Sequence, residues 1–136
     1  SIEQLPQIDH APDSFRPAHW HVIRTASQSV LLGDGTCFAV GTSGEQGHLL
    51  RFAKDWHEIY LPIAHNTVLV ASRSAQRPLY SIEDINQASA SLSFDQFFAA
   101  RNTDYERSLQ AFIRTGTATM TTDEIQQSVR AIWSGG

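Results

Sequence analysis

The feature that most constrains this chain is a change of pattern near residue 80. Residues 19–73 are written in short runs with the two-residue alternation of β-strands, broken by glycine-bearing turns. Residues 81–133 are a succession of helix-start signals, each followed by apolar residues at helical spacing. Strands followed by helices predict an α+β domain, an antiparallel sheet over about 19–72 with several short helices over about 81–133 packed on one face.

The strand half divides at its turns. In residues 19–25, Trp20, Val22 and Arg24 fall on one face, and His19, His21 and Ile23 on the other. Residues 29–32 end at Gly33-Asp34-Gly35, where glycine tolerates positive φ and aspartate bonds to nearby backbone. Residues 37–40 resume as a strand, and residues 41–47 read as a polar, glycine-rich hairpin loop. That loop lacks the Gly-Lys-Ser/Thr ending of a phosphate loop. After a linking run over 48–53, the strands 58–63 and 67–72 flank Ala64-His65-Asn66, with Asn66 suited to a left-handed turn position. The unbroken Val68-Leu69-Val70 predicts a central strand covered on both faces.

In the helical half, Ser81, Ser93, Thr103 and Thr121 each precede an acid or amide by three residues (Asp84, Gln96, Glu106, Glu124). A hydroxyl there satisfies amides that the first helical turn leaves unpaired, and the acid or amide bonds back. Four helices follow from this reading. Leu69, Phe97, Leu109, Phe112 and Val129 are the expected core, and Phe94, Phe97, Phe98 and Phe112 an aromatic cluster within it. Phe112→Ala would then cost about 3–5 kcal/mol.

The 136 residues form a single domain over 18–136, preceded by an extended arm over 1–17 that Pro6, Pro12 and Pro17 keep irregular. Ser1 in place of an initiator Met predicts a processed chain or part of a longer protein. No apolar run approaches the ~20 residues of a membrane span, and no signal peptide is evident, so a cytoplasmic protein without membrane contact is expected. The lone Cys37 fits a reducing compartment. Ten Lys and Arg against 14 Asp and Glu, a net charge of −4, argue against nucleic acid, whose affinity comes from clustered basic residues.

Several residues are candidates for chemistry. His19 and His21, two apart on a strand, are candidate metal ligands if a third group joins them from His10, His48, His57, His65 or Asp34. Asp34, His57 and His65 are candidate catalytic groups, the aspartate on an exposed turn. Cys37 sits in the apolar run Cys-Phe-Ala-Val, where cysteine packs rather than reacts. Asp55, Trp56, His57 and Glu58 gather two acids, an indole and an imidazole before a strand. They are a candidate binding rim for a protein partner, a basic one given the acids.

The strand ending Leu32-Gly33-Asp34-Gly35, then residues 58–63 with Leu61-Pro62-Ile63, then Thr67-Val-Leu-Val-Ala71 and a helix opening Ile85-Asn86 follow one another in order. This order resembles the carboxy-terminal half of an uncharacterised bacterial domain-of-unknown-function family. Trp20, Asp34, Pro62 and Asn86 would be the matching positions, across about residues 19–100. The sequence departs from that pattern in having Thr36 and Cys37, not proline, after Gly35. It also lacks the His-Tyr-x-Pro opening of longer members, which fits a fragment or shortened member. The resemblance implies no activity. The function expected from the residues is non-catalytic binding with no cofactor; the alternative is a hydrolase or metal-dependent enzyme using Asp34 with histidines.

Overall fold

In the computed structural model the residues described are 1–6, 19–52 and 55–116, together with Gln126, Gln127, Arg130 and Trp133. The strands are β1 (Ile2–Leu5), β2 (His19–Arg24), β3 (Leu32–Gly33), β4 (Phe38–Gly41), β5 (Gln46–Gly47), β6 (Trp56–Ala64), β7 (Thr67–Ser72) and β8 (Phe97–Phe98). The helices are a single turn α1 (Leu49–Phe52), then α2 (Ile82–Ser91) and α3 (Asp104–Leu109), which runs on into a 3₁₀ turn at Gln110–Phe112. Six strands form one antiparallel sheet in the order β1-β2-β7-β6-β4-β5, and β3 pairs with β8 in a separate two-stranded ladder. The fold is α+β, and its larger part is antiparallel sheet.

Alternation sorts the sheet's two faces. Ile23, Phe38, Val40, Tyr60, Val68 and Val70 point towards α2 and meet its Ile82, Ile85, Ala88 and Leu92. Each large aliphatic side chain buried here contributes roughly 1.5–3 kcal/mol. On the opposite face Ala39, Trp56, Ile59 and Ala71 gather with Phe52 of α1. Phe52 also explains two glycines of the β4–β5 hairpin. A Cβ on Gly41 would stand 2.7 Å from its ring, and one on Gly47 2.9 Å.

Three expectations from the sequence need correction. The sheet begins at Ile2 rather than residue 19, because Ile2–Leu5 of the expected irregular arm pairs with β2 at the sheet's edge, while residues 7–17 of that arm lie outside the described residues. Of the four expected helices, those started by Ser81 and Thr103 form, the first with a reciprocal capping box and the second with the Thr103 amide and hydroxyl both donating to the Glu106 carboxylate. The one at Ser93 does not. Ser93 donates its hydroxyl back to the Ser89 carbonyl, and the chain proceeds into β8. The start at Thr121 and its residues to 125, with Val129, lie outside the described residues.

The third correction concerns the aromatic residues. Leu109 is buried as expected, but Leu69 and Phe97 are only partly so. Phe94 is exposed, and Phe98 and Phe112 are 58% and 36% accessible. Without a helix at residue 93, no helical stripe carries Phe94, Phe97 and Phe98 inward, and Phe112 lies in the 3₁₀ turn beyond the end of α3. The large cost expected for Phe112→Ala therefore does not apply.

Candidate functional site

Asp34 leaves β3 at the turn the sequence marks, but its carboxylate does not face solvent as a free acid. Oδ1 accepts from the Phe94 amide at 2.8 Å, while Oδ2 accepts from the Asp95 and Gln96 amides at 2.8 and 3.2 Å. Burial raises its pKa, but these three bonds and the neighbouring His48 outweigh that and hold it below the ordinary aspartate value. His48 lies flat on Phe94, ring centroids 5.0 Å apart. Its own pKa is lowered, chiefly by burial and against the pull of Asp34. Asp34 is thus a clamp between a turn and a loop sixty residues on.

His57 and His65 do not join it. His65 sits at the exposed β6–β7 turn, and its carbonyl accepts the Val30 amide. His57 is the extra residue of a bulge, because β6 steps from Glu58 opposite Val40 to Trp56 opposite Gly41. That extra residue dismantles the expected binding rim. Trp56 turns inward to the α1 face at 1% exposure, where the guanidinium of Arg73 lies 3.8 Å from its ring centroid. Glu58 turns to the α2 face, also at 1% exposure. Only Asp55 and His57 remain at the surface as candidate contacts.

Glu58 has its own partners. It accepts from the Tyr60 hydroxyl at 2.8 Å and the Leu79 amide at 3.2 Å, and the Tyr60 oxygen in turn accepts the Tyr80 amide at 3.1 Å. Burial, then the bond to Glu58, pushes the Tyr60 pKa up. Tyr60 stacks between Phe38 and Tyr80 at centroid separations of 5.1 and 5.0 Å. The network fixes residues 79–80 against the sheet, just before the α2 cap.

That placement forms the largest concavity described, about 720 Å³, within the usual range of small-molecule sites. It lies between the β1–β2 edge and the segment 77–82. Ile2, Ile23, Ile82 and Tyr80 supply apolar wall, while Gln4, His21, Arg24, Arg77 and Ser81 supply polar groups. His21 is only 4% exposed, and its Nε2 has no hydrogen-bond partner among the described residues. An imidazole nitrogen buried without a partner is unfavourable by about 1–3 kcal/mol, so its presence in a cleft wall calls for an explanation.

His19 and His21 share the α2 side of β2, as their spacing predicts, but differ in use. His19 Nδ1 is 3.1 Å from Gln4 Nε2. Among the described residues no three His, Cys, Asp or Glu side chains gather at metal-binding spacing. Cys37 is partly buried, and burial raises its thiol pKa, as its apolar run predicts. Among the described residues no helix is long and apolar enough to cross a membrane. Sequence reasoning missed Arg77 and Tyr80, which reach the cleft only because the chain folds back after β7. For His21 a signal existed, a histidine sharing the alternation of the core residue Ile23.

A scan against protein-family models found no match to this chain, and searches of curated proteins and of solved structures found none either.

Proposed function

We propose that this chain acts by binding, and that its binding site is the cleft between the β1–β2 edge and segment 77–82, not the 55–58 segment. The buried, unpartnered Nε2 of His21 in the cleft wall carries the reading. A buried polar atom is kept without an internal partner most readily where an external one completes it. Two further observations support binding over the hydrolase alternative. The carboxylate of Asp34 is committed to three backbone amides, and His57 and His65 stand apart from it. The resemblance to the bacterial family remains part of the proposal, with Asp34 and Asn86 as fold-stabilising positions.

The test is a panel of small organic fragments followed by NMR on the isotopically labelled chain. At least one chemical class should move the resonances of His21, Tyr80 and Ile82 together, saturably. A panel that leaves these three unmoved would overturn the cleft as the binding site. Binding that instead moved Asp55 and His57 would return the site to the 55–58 segment.

A further inference from the structure

The charges lining the cleft are at odds with those of the whole chain. The protein carries a net charge of −4, yet no acid is among the described residues lining this cleft. Its charged side chains there are the guanidinium groups of Arg24 and Arg77. Arg24 is partly neutralised by Glu3, Nη1 to Oε1 3.1 Å. Arg77 is exposed and makes no hydrogen bond or ion pair among the described residues. The nearby acids of α2 are occupied elsewhere: Asp84 closes the capping box with Ser81, and Glu83 accepts from Gln28 at 3.2 Å.

Resting on the cleft as the binding site, we infer that its ligand is a small organic acid, a single carboxylate on an apolar body, held by Arg77 with His21 Nε2 beneath. A carboxylate suits both polar groups. The planar guanidinium donates two parallel N–H bonds to its oxygens, and the His21 tautomer with its hydrogen on Nε2 donates one more. The apolar body suits Ile2, Ile23, Ile82 and the ring of Tyr80. A bare inorganic anion would leave that wall unused, and a cation would meet two guanidinium groups.

The test compares hexanoate, hexan-1-ol and hexylamine at neutral pH, titrated into the full chain and followed at the His21 ring and Ile82 methyl resonances. These share an apolar tail and differ only in the head group. Hexanoate is expected to bind about tenfold more tightly than the alcohol, the usual weight of a charge-assisted bond, and the amine most weakly. Arg77→Gln, at an exposed position, should bring hexanoate down to the level of the alcohol and leave the alcohol unchanged. Equal or tighter binding of the alcohol or amine would overturn the acid as ligand while leaving the cleft as a site. Hexanoate affinity unaltered by Arg77→Gln would overturn it too. If none of the three moves His21, the acid inference fails, and the fragment panel judges the cleft independently.

Discussion

Two regions of this molecule each bury a large polar side chain, Asn86 in one and His21 in the other, on opposite terms. In the seam between α2 and the turns beside β3, the Asn86 amide and the Asp34 carboxylate have their counterparts, while the small hydroxyls of Ser29 and Ser89 have none among the described residues. Asn86, fully buried, accepts from the Leu31 amide at 2.9 Å and donates to the Ser29 carbonyl at 2.7 Å. Asp34 occupies three amides close by. In the cleft, His21 is buried nearly as deeply, but its Nε2 stands alone among the described residues. The difference separates a polar group that holds the fold from one that the fold could lose. Depth of burial does not distinguish them; completeness of partners does.

The hardest test of that contrast is Asn86→Ala. It strands a backbone N–H and a backbone C=O in the interior, and should cost about 3 kcal/mol in urea unfolding, since each unsatisfied group costs roughly 1–3. A loss under about 1 kcal/mol would mean that the seam relaxes or admits water, and the comparison would collapse.

Asp34→Ala should come next, at about 1–2 kcal/mol at neutral pH, comparable to losing a helix cap, because its three amides can partly turn to water. Its contribution also has a pH signature. The folded pKa lies below the unfolded value, so the stabilisation is complete above the unfolded aspartate pKa and is lost as pH falls through the folded one. The gap in stability between wild type and Asp34→Ala should therefore narrow on acidification. A gap that widened in acid would show that the carboxylate does not act as this clamp.

The smallest effect is expected where burial alone would predict a large one. His21→Leu removes an incomplete polar group from the interior and should cost no stability, raising it by up to about 1 kcal/mol, the low end of the penalty for an unpartnered buried group. A loss above about 2 kcal/mol in the same urea measurement would place His21 with Asn86 and erase the distinction.

Much of the local structure was legible in the sequence because local chemistry decides it. The helix starts at Ser81 and Thr103 and the burial of Val68 and Val70 follow from neighbouring residues, as does the presence of a turn at Asp34, although its left-handed residue is Thr36 (φ 64°) and not a glycine. What escaped was decided at long range. Ser93 has the residues of a helix start, but the amides of residues 94–96, which a helix's first turn would leave free, are taken by Asp34. Asp55 to Glu58 looked like one rim because they gather just before a strand, where a regular ladder would keep Trp56 and Glu58 on one face; the bulge at His57 sends those two to opposite faces. The site was less legible still. His21 stood in view beside Ile23, but Arg77 and Tyr80 carry no local mark of the cleft they complete.

The strand order has a consequence in time as well as space. β7 lies between β2 and β6, so β2 pairs with a strand beginning more than forty residues after it, as in the partnership of Arg24 with Thr67. During synthesis from the amino terminus, β2 therefore emerges with no lasting neighbour on that side. The sheet remains in two pieces, β1–β2 and β4–β5–β6, until Thr67–Ser72 appears and joins them. Closing so long a loop is entropically unfavourable and slow, and it is repaid only when the whole strand zips. The apolar Val68 and Val70 reach the nascent chain last of the sheet's strands, and α2, which covers them, follows within about twenty residues. The chain keeps its stickiest strand back until its partners and its cover are almost at hand.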